Sequence, residues 1–494
     1  MSSRSTPVGH EDLAAIARDA MIERGLLPEF SPAVLAETRT LDASPARRDA
    51  PAGSARDLTH LPWSSIDNDD SRDLDQLTVA EALAGDVVRL LVAIADVDGL
   101  VKAGSATDGH AAANTTSVYT AARIFPMLPE RLSTDLTSLN EEQERLAMVI
   151  DMTIAADGSV VESEVYGAWV RSRAKLTYNG VAAWLDGLAP APDKLAAVPG
   201  LDDQLRLQDR IAQALLRQRR QRGALGLATP QARPVFDKGV LIDLQPDEKN
   251  RAKELIADFM IAANGATARF LESKRFPSLR RQLHAPRRWE RIVQLAAGLG
   301  ERLPDEPSAP ALEAFLAKQR QADPGGFGDT SLAVVKLLGS GEYMVAPAGE
   351  PGGMHFGLAV SDYTHSTAPN RRYPDLITQR LVKAALAGEA APYGEDELAA
   401  LARHCTAQED NAAKVERQVR KAAAAVLLRP RIGERFRAVV TGASDKGTWV
   451  RIGTPTAEGR VVQGFEGLDV GDKPEVELVA VDVARGFIDF RRAR

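Results

Sequence analysis

Five carboxylates, Asp67, Asp69, Asp70, Asp73 and Asp75, fall within nine residues of the string SSIDNDDSRDLDQ. An apolar run follows, Val87 to Val97 (VVRLLVAIADV), and reads as a buried strand. Two carboxylates ~4 Å apart repel by about 1 kcal/mol in water and about 4 kcal/mol at the effective dielectric near a protein surface. A solvated turn tolerates that, and an acidic surface turn is one reading. Beside a buried strand the usual remedy is a hard cation such as magnesium, which prefers carboxylate oxygen. An EF-hand loop is excluded, because the sixth position counted from Asp67 is Arg72 where that loop needs glycine. The second string with chemical potential is HSTAPNRRYPD, His365 to Asp375. A guanidinium is a planar fork of donors that suits phosphate and carboxylate oxygens. Taken alone, two arginines before Tyr-Pro-Asp describe a surface turn.

The elements that must position these strings are legible from periodicity. The segment Met148 to Val170 alternates apolar and polar residues around Asp157-Gly158 and predicts a hairpin. Helical patterns cover Leu176 to Gly187, Asp202 to Arg222, Arg251 to Leu271 and Asp375 to Leu386, with a long Ala-rich one from about Glu395 to Leu428. Leu337 to Leu358 reads as extended and Gly-rich. At the start, residues 1–42 read as a small helical domain: an apolar stripe from Glu11 stops near Gly25, and a second helix begins with Ser31 as cap and Pro32 at its first position. Two short helices and a turn suit either a helix-turn-helix or a packing module. Residues 43–57 are rich in Pro, Ala, Gly and Ser and read as a linker. A body over 58–428 follows. Residues 430–494 form a separate all-β unit of short strands around a turn at Lys446-Gly447, which suits a small OB barrel.

Composition bounds the class. At 494 residues, 44 % apolar and 26 % charged, the chain is a multidomain globular protein. A single cysteine, Cys405, excludes an internal disulfide and a cysteine zinc cage and suits a reducing cytoplasm. The start, MSSRSTPVGHEDL, has no apolar core for a signal peptide, and no apolar run is long enough for a membrane span. The net charge of −7 argues against a generally sticky polyanion binder, so local charge decides. From Lys414 to Arg437 eight Lys or Arg stand against two Glu, and Arg217 to Arg222 and Lys274 to Arg291 are also basic. Each patch is either a solvated helix face or part of a phosphate track.

The order LPWSSID, a polar spacer, RDLDQ and then IADV resembles the first signature of the RNB family, the catalytic domain of ribonuclease II and ribonuclease R. HSTAPNRRYPD resembles the family's TSPIRRYxD signature, with Ala368 in place of Ser and Asn370 in place of Ile. The resemblance implies a multidomain α+β chain: a mixed α/β RNB domain, a C-terminal barrel of the ribosomal-protein-S-one type, and here a short helical N-terminus too small for the family's two cold-shock barrels. It implies metal ligands at Asp67, Asp73 and Asp75. The next family aspartate is Gln76 here, whose carbonyl can ligate magnesium without adding charge. Asp75 and Arg371 are the implied catalytic pair, Arg371 supporting the transition-state phosphate.

Substrate contacts implied by the same resemblance are Tyr119, near the PMLP tract, and Tyr178, in SRAKLTYNG, which clamp the terminal nucleotides, together with Arg372. Stacking contributes about 1–3 kcal/mol per base whatever its identity. Asp258 stands where the family has Glu and is expected to accept from a ribose 2′-hydroxyl, the group that tells RNA from DNA. Glu416 matches a glutamate beside the channel. In the barrel Phe436 and Trp449 are candidate base-stacking residues, with a place in the barrel core as the other reading of both.

The implied activity is a magnesium-dependent hydrolytic 3′-to-5′ exoribonuclease, with one or two Mg2+ ions and Mn2+ as a substitute. It would act processively on single-stranded and, with an open channel mouth, structured RNA, releasing nucleoside 5′-monophosphates. The expected protein is a cytoplasmic monomer whose partner is an RNA 3′ end, with no membrane partner. Gln76 motivates one alternative, a catalytically weakened or silent RNA-binding protein of the family. The N-terminal helices motivate another, a DNA regulator.

Overall fold

The apolar run after the acidic string becomes an interior strand of the largest sheet in a computed structural model that describes residues 10–42, 55–228, 231–247 and 249–493. Two helices come first, α1 (His10–Glu23) and α2 (Pro32–Thr40). The body begins with β1 (Arg56–Asp57), β2 (Trp63–Asp67), β3 (Gln76–Ala82), β4 (Val88–Ala95), α3 (Ala106–Asn114), β5 (Val118–Tyr119) and β6 (Ile124–Phe125). A π-helical turn (Arg131–Leu136) leads to β7 (Glu144–Ile154), β8 (Val160–Thr177), α4 (Tyr178–Leu185), α5 (Asp193–Ala196) and α6 (Leu201–Gln221). The hairpin β9 (Gln231–Asp237) and β10 (Val240–Asp247) precedes α7 (Arg251–Ser273), β11 (Ser278–Gln282), α8 (Trp289–Gly298), α9 (Ala309–Ala322), α10 (Phe327–Leu338) and β12 (Glu342–Ala346). Helices α11 (Tyr373–Ala387) and α12 (Glu395–Leu428) lead into a closed barrel of β13 (Arg435–Ser444), β14 (Gly447–Ile452), β15 (Ala457–Gln463), β16 (Glu475–Asp482) and β17 (Phe487–Arg492).

The main sheet has the order β1-β8-β2-β3-β4-β7. Its organiser is the 18-residue β8, which pairs antiparallel with β7 over Val160 to Arg171 and then parallel with β2 from Ser172 to Thr177. One strand therefore links both ends of the sheet. Strand β4 is buried along nearly its whole length, as a continuous apolar run requires when both faces are covered. Helices α6, α7 and α11 bury their apolar stripes with this sheet in one core containing Trp63, Leu91, Leu205, Phe259 and Leu376. A satellite core joins α8, α9 and α10, and the barrel core merges with the Ala422 to Leu428 end of α12.

Several expectations shift. Arg56 and Asp57, read as linker, pair in parallel with Ala168 and Trp169, while residues 43–54 of that linker lie outside the described residues. Leu176, read as helical, still belongs to β8, because its side chain completes the sheet core. Of the stretch read as extended, Leu337 and Leu338 finish α10 and only Glu342 to Ala346 forms a strand. Ser31 caps α2 as expected, its Oγ accepting from Val34 N at 3.3 Å. Among the described residues no helix is long and apolar enough to cross a membrane.

Candidate active site

The acidic string is the connection from β2 to β3, and the strands on either side hold its two ends. Asp67 closes β2 and turns the chain: its Oδ1 accepts from Asn68 N at 2.7 Å and from Ser71 Oγ at 2.9 Å. Ser138 Oγ accepts from Leu74 N and donates to Arg72 O, both at 3.0 Å, and Leu139 N donates to Leu74 O. Lys175 on β8 reaches Ser71 O. The loop is thus clamped on three sides, and the clamp buries Asp75 almost completely.

The arginine string is the approach to α11. Arg371 N and Arg372 N both donate to Ala368 O, forming a turn, and Pro374 sits in the first helical turn where its missing N–H costs nothing. Asp375, fully buried, accepts from Ala368 N at 2.8 Å and from Arg372 Nη2 at 2.7 Å. The turn aims its two arginines apart. Arg372 is taken up by Asp375 and a nest that includes Tyr343 and Tyr363. Arg371 lies against the acidic loop, its Nε 3.3 Å from Asp75 Oδ2, while Asn370 N donates to Asp75 Oδ1 at 3.0 Å.

Residues 75 and 371 are thereby brought together across 296 positions of chain. Burial pushes the Asp75 carboxyl up to about 7, helped by the charge of Asp73 and opposed by Arg371 and the Asn370 N–H. Burial also raises Asp73, and Asp67 adds to it. Tyr119, on β5, is 41 % exposed, yet its hydroxyl lies 3.5 Å from Asp73 Oδ2. Its backbone N–H donates to Glu416 Oε1 of α12 at 2.9 Å. Tyr178 opens α4 and feels the charges of both Asp67 and Arg371, so it borders the same cluster. Asp73, Tyr119, Glu416 and Arg420 line one cleft of about 420 Å3.

Other sequence candidates sit elsewhere. Asp258 on α7 is ion-paired with Arg219 of α6 and faces a separate cavity of about 800 Å3 that Arg222, Arg269 and Asp362 also line. Burial raises its carboxyl to about 6 despite Arg219. Phe436 is a correction: it is only 7 % exposed, and its ring packs edge-on against Phe490 in the barrel core under the Arg431 guanidinium. Trp449 is half-buried and lines a cleft between the barrel and Lys336, Arg417 and Lys421. The basic stretch from Lys274 is partly internal, since Arg280 is buried with its Nη2 on Ala268 O and Arg281 pairs with Glu409. Arg372 is ion-paired with the buried Asp375 within the turn. Sequence reading missed Asn370 and Ser138 as holders of the acidic loop. Their work is done by a backbone N–H and a small hydroxyl, which leave no compositional trace.

The donor set suits a hard divalent cation: carboxylate oxygens, held together and repelling one another. Among the described residues no group of three or more His, Cys, Asp or Glu is already arranged around a common point, and both Asp75 oxygens are engaged by Asn370 and Arg371. Gln76, 8 % exposed, opens β3 opposite Ile94.

Comparison with known proteins places these features in a family. Residues 55–388 match the RNB domain and residues 434–493 the RNase II-type exonuclease C-terminal S1 domain. Ribonuclease R of Aquifex aeolicus is 30 % identical over 468 residues, covering 88 % of this chain and 64 % of that protein. Ribonuclease R of Escherichia coli strain K12 is 30 % identical over 470 residues, covering 88 % and 57 %. The chain thus spans less than two thirds of the length of these relatives. Its fold is that of Mycoplasma genitalium RNase R, solved in complex with ribose methylated single-stranded RNA, with a TM-score of 0.86 at 22 % identity over 98 % of this chain and 78 % of that one. Yeast Ssd1, a pseudonuclease, is also similar, with a TM-score of 0.68 at 17 % identity over 91 % of this chain and 55 % of that one. An acidic β2–β3 loop, an arginine turn before α11 that meets it, and two matching domain models covering most of the chain lead to one conclusion: this protein belongs to the RNB family.

Proposed function

We propose that the chain is a hydrolytic 3′-to-5′ exoribonuclease that releases nucleoside 5′-monophosphates from single-stranded RNA. The observation that carries this reading is the approach of Arg371 to Asp75 within 3.3 Å, beside Asp73 and the Tyr119 hydroxyl. A phosphodiester in the cleft would meet a cationic fork on one side and carboxylates on the other. Arg371 supplies donors for the equatorial phosphate oxygens, where charge grows during displacement. Tyr119 offers a partly exposed ring on which a base can stack, with its hydroxyl kept protonated by burial and the neighbouring carboxylates. Glu416 fixes the Tyr119 backbone, and Tyr178 borders the Asp67 side of the cleft. Asp67, Asp73 and Asp75, with the neutral carbonyl of Gln76, are the residues that would hold magnesium, with manganese as a substitute. When bound, the ion supplies charge stabilisation to the attacking and leaving oxygens. Asp258, paired with Arg219 in the neighbouring cavity, would accept from a ribose 2′-hydroxyl of the bound strand. The protein would act as a cytoplasmic monomer.

The test is incubation of purified protein with 5′-labelled oligoribonucleotide and magnesium. Stepwise shortening from the 3′ end with monophosphate release, lost in Asp75→Asn, is the expected result. Retained RNA binding without any release would establish the second reading, a silent RNA-binding protein, which Gln76 and the likeness to a pseudonuclease fold motivate. A Gln76→Asp variant refines the outcome: restoring the carboxylate should lower the magnesium concentration needed for half-maximal rate. An unchanged magnesium requirement would remove Gln76 from the ligand set.

A further inference from the structure

We infer that the N-terminal helix pair is the brace that positions the catalytic arginine and the end-stacking tyrosine, and that Asn114 is its positioning residue. The argument begins with where the two helices are buried. Ala17, Ala20 and Met21 of α1, with Leu26 beyond it, share one apolar cluster with Val118 and Phe125 of the β5–β6 ribbon and with Ala412, Val415 and Val419 of α12. Val118 adjoins Tyr119, and Val415 adjoins the Glu416 that holds the Tyr119 N–H. The packing of α1 therefore sets the distance between the tyrosine and its anchor.

The second half of the brace grips α3. Leu27 N donates to Asn114 Oδ1 and Asn114 Nδ2 donates to Leu27 O, each at 2.8 Å, so one amide side chain closes a two-way clamp on the α1–α2 turn. Phe30 packs its ring 4.5 Å from that of His110, and Glu37 of α2 accepts from Thr107 N at the start of α3. Asn114 is 1 % exposed and ends α3, and Thr115 then turns the chain with φ of +59°. The strap that leaves this turn leads to Tyr119 and is hydrogen-bonded to the segment that bears Arg371. Tyr373 N donates to Thr115 O at 2.8 Å, and Ser117 N donates to Arg371 O at 2.9 Å. Two residues later the strap becomes Tyr119. A third fixing point lies below: Arg131 donates to Arg39 O and Leu41 O at the end of α2, and Thr137, just past the π-helical turn that Arg131 opens, donates to Asn370 Oδ1 at 2.5 Å. Each route from the helix pair ends on Arg371, on its neighbour Asn370, or on Tyr119.

The buried stripes of α1 and α2 are packed on α12 and α3. The pair behaves as a buttress, which holds the arginine and tyrosine at a fixed spacing while RNA passes.

The test compares Asn114→Ala and Asn114→Asp in the full chain. Its kinetic arm rests on the nuclease reading above. Asn114→Ala should lower kcat by about tenfold to a hundredfold, the scale of an ångström misplacement, with KM for RNA little changed. Asn114→Asp keeps the acceptor for Leu27 N and should recover part of the loss. Amide hydrogen exchange on the RNA-free protein is the independent arm. In Asn114→Ala, exchange should quicken at Ser117 and Tyr373 while α7 and the barrel keep wild-type rates. Unchanged rates at those two amides, or an equal rise everywhere, would overturn the brace whatever the activity. A rise in KM alone on replacing exposed Arg18 by Ala would also overturn it, in favour of a binding module. Absence of turnover in the wild type counts against the nuclease reading only.

Discussion

Asp75 is held in a balance between burial, which disfavours its charge, and Arg371 with the Asn370 N–H, which favour it. The two arginines of the turn divide labour, and substitution should separate them. Arg371→Lys keeps a charge but loses the planar fork, so the rate of monophosphate release should fall by about 10²–10³ with the melting temperature nearly unchanged. Equal activity of the lysine variant would show that only charge matters there. Arg372→Ala strands the buried Asp375, and removal of one partner of a buried pair typically costs about 3–5 kcal/mol. Thermal unfolding should report that loss, and a stable but inactive variant would return Arg372 to the substrate face. Both arginines and the acidic cluster were legible because their side-chain types are rare in such strings. That Arg371 rather than Arg372 faces the carboxylates came from the family resemblance and not from the residues themselves, since adjacent residues in a turn diverge in directions that only the backbone dihedrals fix.

At the scale of elements, β8 and the hairpin that starts it decide where the site lies. The Asp157-Gly158 signal was readable because a tight turn needs a residue at positive φ, and Gly158 sits at +88°. What the turn touches was not readable: a Cβ on Gly158 would run into the backbone of Ala214 and Leu215 in α6. Gly158→Ala therefore combines an unfavourable φ with a clash and should destabilise the fold by more than about 1 kcal/mol. Urea unfolding checks this, and a neutral result would mean that α6 yields easily. Phe436 illustrates the opposite limit. Alternation in Arg435-Phe436-Arg437 sets the phenylalanine on the face opposite the arginines, but barrel closure alone determines that this face is the inside.

At the scale of the molecule, the barrel is fastened to the body through Glu458. Burial alone would raise its carboxyl, but Lys336 and Lys421 outweigh that and Thr441 donates at 2.7 Å, bringing it down to about 2. A carboxylate whose folded value lies below its ordinary 4.5 contributes stability that is fully present above that value and lost as pH falls toward 2. The wild type should therefore exceed Glu458→Gln in melting temperature at pH 6, with the gap closing between pH 4.5 and pH 2; a constant gap would remove Glu458 from the junction. The sequence by itself determined the acidic string, the arginine turn, the hairpin, the long helices and the terminal barrel, because periodicity and side-chain chemistry are local properties. Only the tertiary structure decided that Asn370 and Ser138 hold the acidic loop, that Asp258 pairs with Arg219 in another cavity, and that the first two helices pack on α3, α12 and the β5–β6 ribbon. Those contacts join backbone groups and apolar faces far apart in the chain, where any of many residues would have served and no single one announces its partner.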